Sequence, residues 1–160
     1  MFKNLKIITC ALLAALSLAA CGEPKETPEE AAVRALDFDA LTHQVVAEIT
    51  NTTNFPMAKD AAVYLKDDKL LLVLVVDDLT NEQTALDYAD SFVRLFSLYA
   101  NVADDTIKPA GTDYYGSLYD VYDLEIAVAP LSQSDNQDNW YIHDFVSAGM
   151  HTKQPIELLG

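Results

Sequence analysis

The sequence predicts an α+β domain: one mostly antiparallel four-stranded sheet packed with two helices, in the order α-β-β-α-β-β. Three observations predict it. Leu70 to Val76 is an unbroken apolar run of strand length. Two longer segments carry apolar residues at spacings of three and four, each behind a capping signal. Two further strand-like runs follow the second of these segments.

The first helix starts at Thr27-Pro28-Glu29-Glu30, where Thr27 can cap, Pro28 suits the first helical position and Glu30 completes a capping box. Ala31, Ala35, Phe38, Leu41, Val45 and Ile49 then fall on one stripe, which predicts helix from 28 to about 49. Val45, Ala47 and Ile49 also alternate, so residues 43–50 fit a strand after a shorter helix as well.

Asn51 to Pro56 breaks the chain, and two runs follow, Ala61 to Leu65 and Lys69 to Val76, separated by the polar turn Lys66-Asp67-Asp68. In the second run Leu70, Leu72, Leu74 and Val76 share one face while Leu71, Val73 and Val75 share the other. A strand apolar on both faces belongs at the centre of a sheet with both faces covered, here by the following helix and by either the first helix or a partner protein.

Thr80 to Gln83 reads as a second capping box, and Leu86, Ala89, Val93, Phe96 and Ala100 predict helix from 81 to about 101. If that helix is a crossover, the strands on either side of it run parallel. Residues 102–117 read as a long acidic loop. Leu118 to Ala129 reads as a half-buried strand stopped by Pro130, and Trp140 to Val146 as the last strand after a polar loop. Residues 147–160 read as an irregular tail, and no internal repeat is present.

Ahead of this domain, Met1 to Lys6 carries two lysines, Ile7 to Ala20 is an apolar run of 14 residues, and Leu18-Ala19-Ala20 precedes Cys21. The run is shorter than the ~20 residues a spanning helix needs, and the layout is that of a secretory signal. The Leu-Ala-Ala-Cys site resembles the lipobox of bacterial lipoproteins, a likeness confined to residues 1–22. It implies that Cys21 is joined to diacylglycerol, that residues 1–20 are cleaved, and that residues 21–27 form a lipidated cysteine and short tether ahead of a single domain over 28–160. Gly22, not Asp, follows the cysteine, which by that family's sorting rule implies the outer membrane if the cell has one; the expected orientation is toward the periplasm, which the rule itself does not fix. Several acyl chains, at about 0.8 kcal/mol per buried methylene, hold a protein on a bilayer where a single chain does so only marginally.

Losing the leader removes Lys3, Lys6 and Cys10, which leaves eight basic against 25 acidic residues, a net charge of −17. With Cys21 acylated, the mature chain has no thiol for a disulfide, a zinc site or cysteine catalysis. The charge opposes binding to nucleic acid and to anionic headgroups and favours a basic protein partner or a divalent metal.

No serine-hydrolase elbow, P-loop or zincin motif is present, and five glycines offer little for cradling phosphate. Neither catalytic residues nor a metal set nor a cofactor is assigned. Asp135, Gln137 and Asn139 alternate oxygens as calcium loops do, but lack the central Gly and distal Glu. Asp77-Asp78 and Asp104-Asp105 read as charges flanking a helix or in a loop. Of His43, His143 and His151, only His143 has a suggestive neighbour, Asp144, yet adjacent strand residues point to opposite faces.

The stretch from Asp113 to Asp123 interleaves tyrosine with aspartate, a composition suited to protein recognition. It nominates Asp113, Tyr114, Tyr115, Tyr119, Asp120 and Asp123 as partner-binding residues. The leading expectation is a lipid-anchored, acidic, non-enzymatic binding domain of the cell envelope, of inhibitor or immunity type in one version. One alternative is a small envelope hydrolase or metal-dependent enzyme using His143, Asp144 and loop carboxylates. Another is a structural component of an envelope assembly.

Overall fold

Local signals in the computed structural model, which describes residues 25–150 and 156–159, set where each element starts. The leader, the lipobox and Cys21 lie outside the described residues. Thr27 accepts from the Glu30 amide while the Glu30 carboxylate accepts from the Thr27 amide, so the expected capping box opens α1, Pro28–Arg34. The expected long first helix is two helices. Ala35 ends α1, and Asp37 caps α2, Phe38–Ile49, by accepting from the Ala40 amide at 3.0 Å. Residues 43–49 are therefore helical, and their alternation reflects only the one-sided burial of Val45 and Ile49.

Strands β1, Ala58–Lys66, and β2, Lys69–Val76, form a hairpin with Lys66 opposite Lys69. The turn is shorter than expected. Only Asp67 and Asp68 lie in it, with φ of 50° and 61°, the left-handed pair that a two-residue type I′ loop requires. Arg34 donates to Asp68 at 2.8 Å and ties the turn to α1.

Helix α3, Glu82–Ala103, is capped by Asn81 rather than Thr80 and carries the chain back across the sheet. A short helix α4, Leu118–Val121, then leads into β3, Asp123–Pro130, and β4 is Ile142–Val146. The sheet order is β1-β2-β3-β4. β2 and β3 run parallel, while the two outer pairings are antiparallel. The sheet is therefore mixed rather than mostly antiparallel, and the helix order is α-α-β-β-α-α-β-β. The physical reason is α3: a crossover helix returns the chain to the starting end of the sheet, so the next strand enters alongside β2 in the same direction.

The helices gather on one side. Leu70, Leu72, Leu74 and Val76 are fully buried beneath α2 and α3 with Leu124, Ile126 and Val128 of β3. Ala89, Phe92, Val93 and Phe96 of α3 and Leu41, Val45 and Ile49 of α2 complete the core. Phe38 packs edge-on to Tyr122 at 5.4 Å between ring centroids. β2 is central, as expected, but among the described residues helices cover one of its faces only, because α2 lies beside α3 instead of behind the sheet.

The expected strand at Leu118 begins late because Tyr115, Leu118, Tyr119 and Tyr122 are spaced for a helical turn that buries all four. Just before it, Gly116 has φ +106°, and a Cβ there would meet the Lys108 carbonyl oxygen at 2.9 Å and Ser97 Oγ at 1.9 Å. The Ser117 amide donates to that carbonyl and Ser117 Oγ accepts from the Lys108 amide, which closes the 108–117 loop. Gly116→Ala is predicted to destabilise the domain by about 2–4 kcal/mol, from the left-handed backbone plus the collision. Urea unfolding of the two proteins measures this, with Gly111→Ala as the comparison, since nothing lies within 4 Å of a Cβ at Gly111.

Candidate binding surface

The tyrosine-aspartate stretch does not form one exposed face. Tyr115 and Tyr119 are core residues, 4% and 5% exposed. The Tyr119 hydroxyl donates to the Val93 carbonyl at 2.9 Å, and burial holds its pKa well above the ordinary value. The Tyr115 hydroxyl donates to Asp90, and its ring lies 5.8 Å from the Arg94 guanidinium. Tyr114 is half-buried and donates to Asp120, so two nominated residues satisfy each other. Asp123 accepts from the Ala148 amide at 2.8 Å and fixes the chain after β4. Asp113 alone of the six is exposed in the described structure. The nomination of Tyr115 and Tyr119 as contact residues is therefore corrected. Helical spacing at 115, 118, 119 and 122 was the available signal, and it is a signal of burial.

The face of the sheet turned away from the helices is the larger feature. Register builds it in rows. Tyr64, Leu71, Glu125 and Phe145 form one row; Ala62, Val73, Ala127 and His143 form the next; Asp60, Val75 and Ala129 form a third. Tyr64 is 60% and Phe145 46% exposed, while Leu71, Val73 and Val75 are half-buried against one another. None of these five packs against the main core. Among the described residues only the 131–140 loop leans over this face, on its β4 side. There Trp140 meets the His143 ring at 5.6 Å, and Gln137 donates to His143 Nδ1 at 2.8 Å.

A polar chain crosses the apolar surface. His143 Nε2 donates to Glu125 at 2.8 Å, Lys69 reaches Glu125 at 3.4 Å, and the Lys69 ammonium lies 5.4 Å from the Phe145 ring centroid. The hydrogen bond from His143, and then Lys69, hold the Glu125 carboxyl below the usual glutamate range against the opposing effect of partial burial. Asp144 is on the opposite side of β4 and accepts from the Phe145 and Glu157 amides, so the sequence pair His143-Asp144 is not a dyad. The carboxylate within reach of His143 is Glu125, which register supplies and sequence proximity hides.

No group of three or more metal-ligating side chains occurs among the described residues. Asp135 and Asn139 are exposed, and Asn139 donates to Gln133. No described helix is long and apolar enough to cross a membrane. No protein-family model matches the chain, and no curated protein or solved structure matches it significantly.

Because the folded state depresses the Glu125 pKa, its contribution is present above the unfolded glutamate value of about 4.3 and fades as pH falls through the folded value. Glu125→Gln is therefore predicted to lower the melting temperature at pH 7 and to converge with the parent protein as pH drops below about 4. Thermal melts from pH 3 to 7 check this. A gap that stays constant across the range would contradict it.

Proposed function

We propose that the chain is a lipid-anchored, non-enzymatic binding domain of the bacterial cell envelope that recognises a protein partner through the open face of its sheet. Cys21 would carry the lipid, and Gly22 favours the outer membrane, where the domain would face the periplasm. The observation that carries this reading is the uncovered apolar rows Tyr64, Leu71, Val73, Val75 and Phe145. A contiguous apolar sheet face rimmed by polar groups is the usual character of a contact site, and each large side chain fully buried contributes about 1.5–3 kcal/mol. The net charge of −17 adds long-range attraction for a basic partner and raises the rate of encounter. An inhibitor or immunity role against a basic enzyme or toxin fits this combination.

The test is site-specific photocrosslinking in intact cells, with a benzophenone amino acid at Phe145 and a control at Val102, which is 71% exposed on α3. The expected result is a discrete set of partners captured from position 145 and absent from position 102. The same products from both sites would reject the open face as the contact surface. Capture of one partner in fixed stoichiometry under all conditions would favour a structural component of an envelope assembly, which the same uncovered face also supports. Intact mass of the native product reads the lipid on Cys21 directly.

A second reading rests on the 2.8 Å contact between His143 and Glu125, since a carboxylate-oriented imidazole is a common general base. In this arrangement Gln137 occupies the other ring nitrogen, so the imidazole would need that loop to move before acting. A hydrolytic activity of the full chain toward ester, phosphoester or peptide substrates that disappears in both His143→Ala and Glu125→Gln would replace the binding-domain reading.

A further inference from the structure

We infer that the free edge of β1 pairs antiparallel with β1 of a second copy of this chain, centred on Val63. The two edges of the sheet are finished differently. Beyond β4, the Leu159 amide donates to the Tyr141 carbonyl and the Glu157 amide to Asp144, so residues 156–159 cover that edge. Beyond β1, nine residues long, no described strand pairs.

The direction of the backbone groups follows from the hairpin. In a two-residue loop the closing pair, Lys66 and Lys69, is hydrogen-bonded, so residues 64, 62 and 60 also face β2. Ala61, Val63 and Leu65 therefore aim their N–H and C=O groups outward. The Ala61 amide accordingly finds no backbone partner and donates to the neighbouring Asp60 carboxylate at 2.9 Å.

Charge selects the register. With Val63 on the two-fold axis, Asp60 stands opposite Lys66 of the second copy, and Lys59, which pairs with Asp77 at 3.0 Å in its own chain, lies beside Asp67 of the second copy. Centring on Ala62 forms no ion pair, and centring on Tyr64 sets Asp60 against Asp68. In each of these registers the outward residues pair with outward residues, as their backbone direction demands, so charge alone distinguishes them. On pairing, the Ala61 amide passes from Asp60 to a backbone carbonyl, and Asp60 is released toward the facing lysine. Lys66 has no ion-pair partner among the described residues. Tyr64 and Leu65, 60% and 39% exposed, both gain cover.

A charged edge normally deters pairing. Here the charges deter a like-signed or misaligned strand and match a second copy, and Lys59, Lys66 and Lys69 place three of ten basic residues on this hairpin of an acidic chain. Pairing would join two open faces into one continuous surface, and it stands whether or not the preceding functional reading does.

Two measurements on the full chain test it. The first is oxidation in membranes of a variant carrying Ala62→Cys and Tyr64→Cys. Positions 62 and 64 face each other in a non-hydrogen-bonded pair at about 4.5 Å between Cα atoms, within disulfide range. A reducible dimer with a mapped 62-to-64 linkage is expected, and neither single variant should form its own 62-to-62 or 64-to-64 link. No 62-to-64 dimer, or equal yields from the single variants, overturns the inference. The second is sedimentation of the detergent-solubilised chain. Asp60→Lys and Lys66→Asp should each weaken dimerisation about tenfold, since each reverses two symmetry-related pairs, and the double variant should recover to within about threefold. Singles that leave association unchanged, or a double variant weaker than either, overturn it.

Discussion

Everything in the domain depends on β2 being paired on both sides and buried on one. Leu70, Leu72, Leu74 and Val76 have no solvent exposure, and they form the floor on which α2 and α3 sit. A central strand cannot exchange water for protein contacts one residue at a time. Its hydrogen bonds commit the neighbours on both sides, and its side chains commit the helix layer above. The parallel pairing with β3 is the cost of that arrangement in loop length, since it takes α3 and the whole of 104–122 to return the chain. That return path holds Ile107, Tyr115, Leu118 and Tyr119 in the same core. The long connection is thus mostly structural, anchored at Gly116 where backbone passes close to backbone.

The same constraint buries the tyrosines that composition places on the surface. Interleaved Tyr and Asp has one meaning on an exposed strand and another on a short helix against a core. At 115, 118, 119 and 122 the apolar residues return every three or four positions, so the intervening Asp120 is turned toward Tyr114 and the rim. Tyrosine tolerates this because its hydroxyl finds a carbonyl or carboxylate, as Tyr119 finds Val93 and Tyr115 finds Asp90, while the ring is buried. Composition alone does not separate these outcomes, whereas spacing does.

Legibility in the sequence follows how local the cause is. The capping box at Thr27 and Glu30, the hairpin at Asp67-Asp68, the stripe of α3 and the apolar run of β2 are local, and each was readable to within a few residues. The break at Asp37 was locally encoded too, by a capping aspartate ahead of Phe38, but a continuous stripe through Ala35, Phe38 and Leu41 masked it. Strand direction and the side on which α2 lies are set by tertiary packing, so no pattern within a segment reports them. The open sheet face was half legible. The outward set Leu71, Val73 and Val75 was visible as apolar, but what covers it depends on where the helices go. The Glu125–His143 contact was illegible because two residues 18 positions apart meet only through the β3–β4 register.

The distribution of charge then follows from the layering. With the helices on one side, the sheet's other face and the β1 edge leave Tyr64, Leu65 and Phe145 exposed, and there the chain departs from its acidic average. Glu125 in the middle of the face is matched by Lys69 and His143, and the edge carries Lys59 beside Asp60 and Lys66 beside Asp67. An acidic surface elsewhere repels unrelated acidic proteins. Local neutralisation at the apolar face removes the desolvation cost that an unpaired carboxylate would impose on any partner covering it. On the proposed reading, an apolar surface that is electrically quiet at its centre, inside a molecule that is strongly negative overall, would discriminate by charge at long range and by shape at contact.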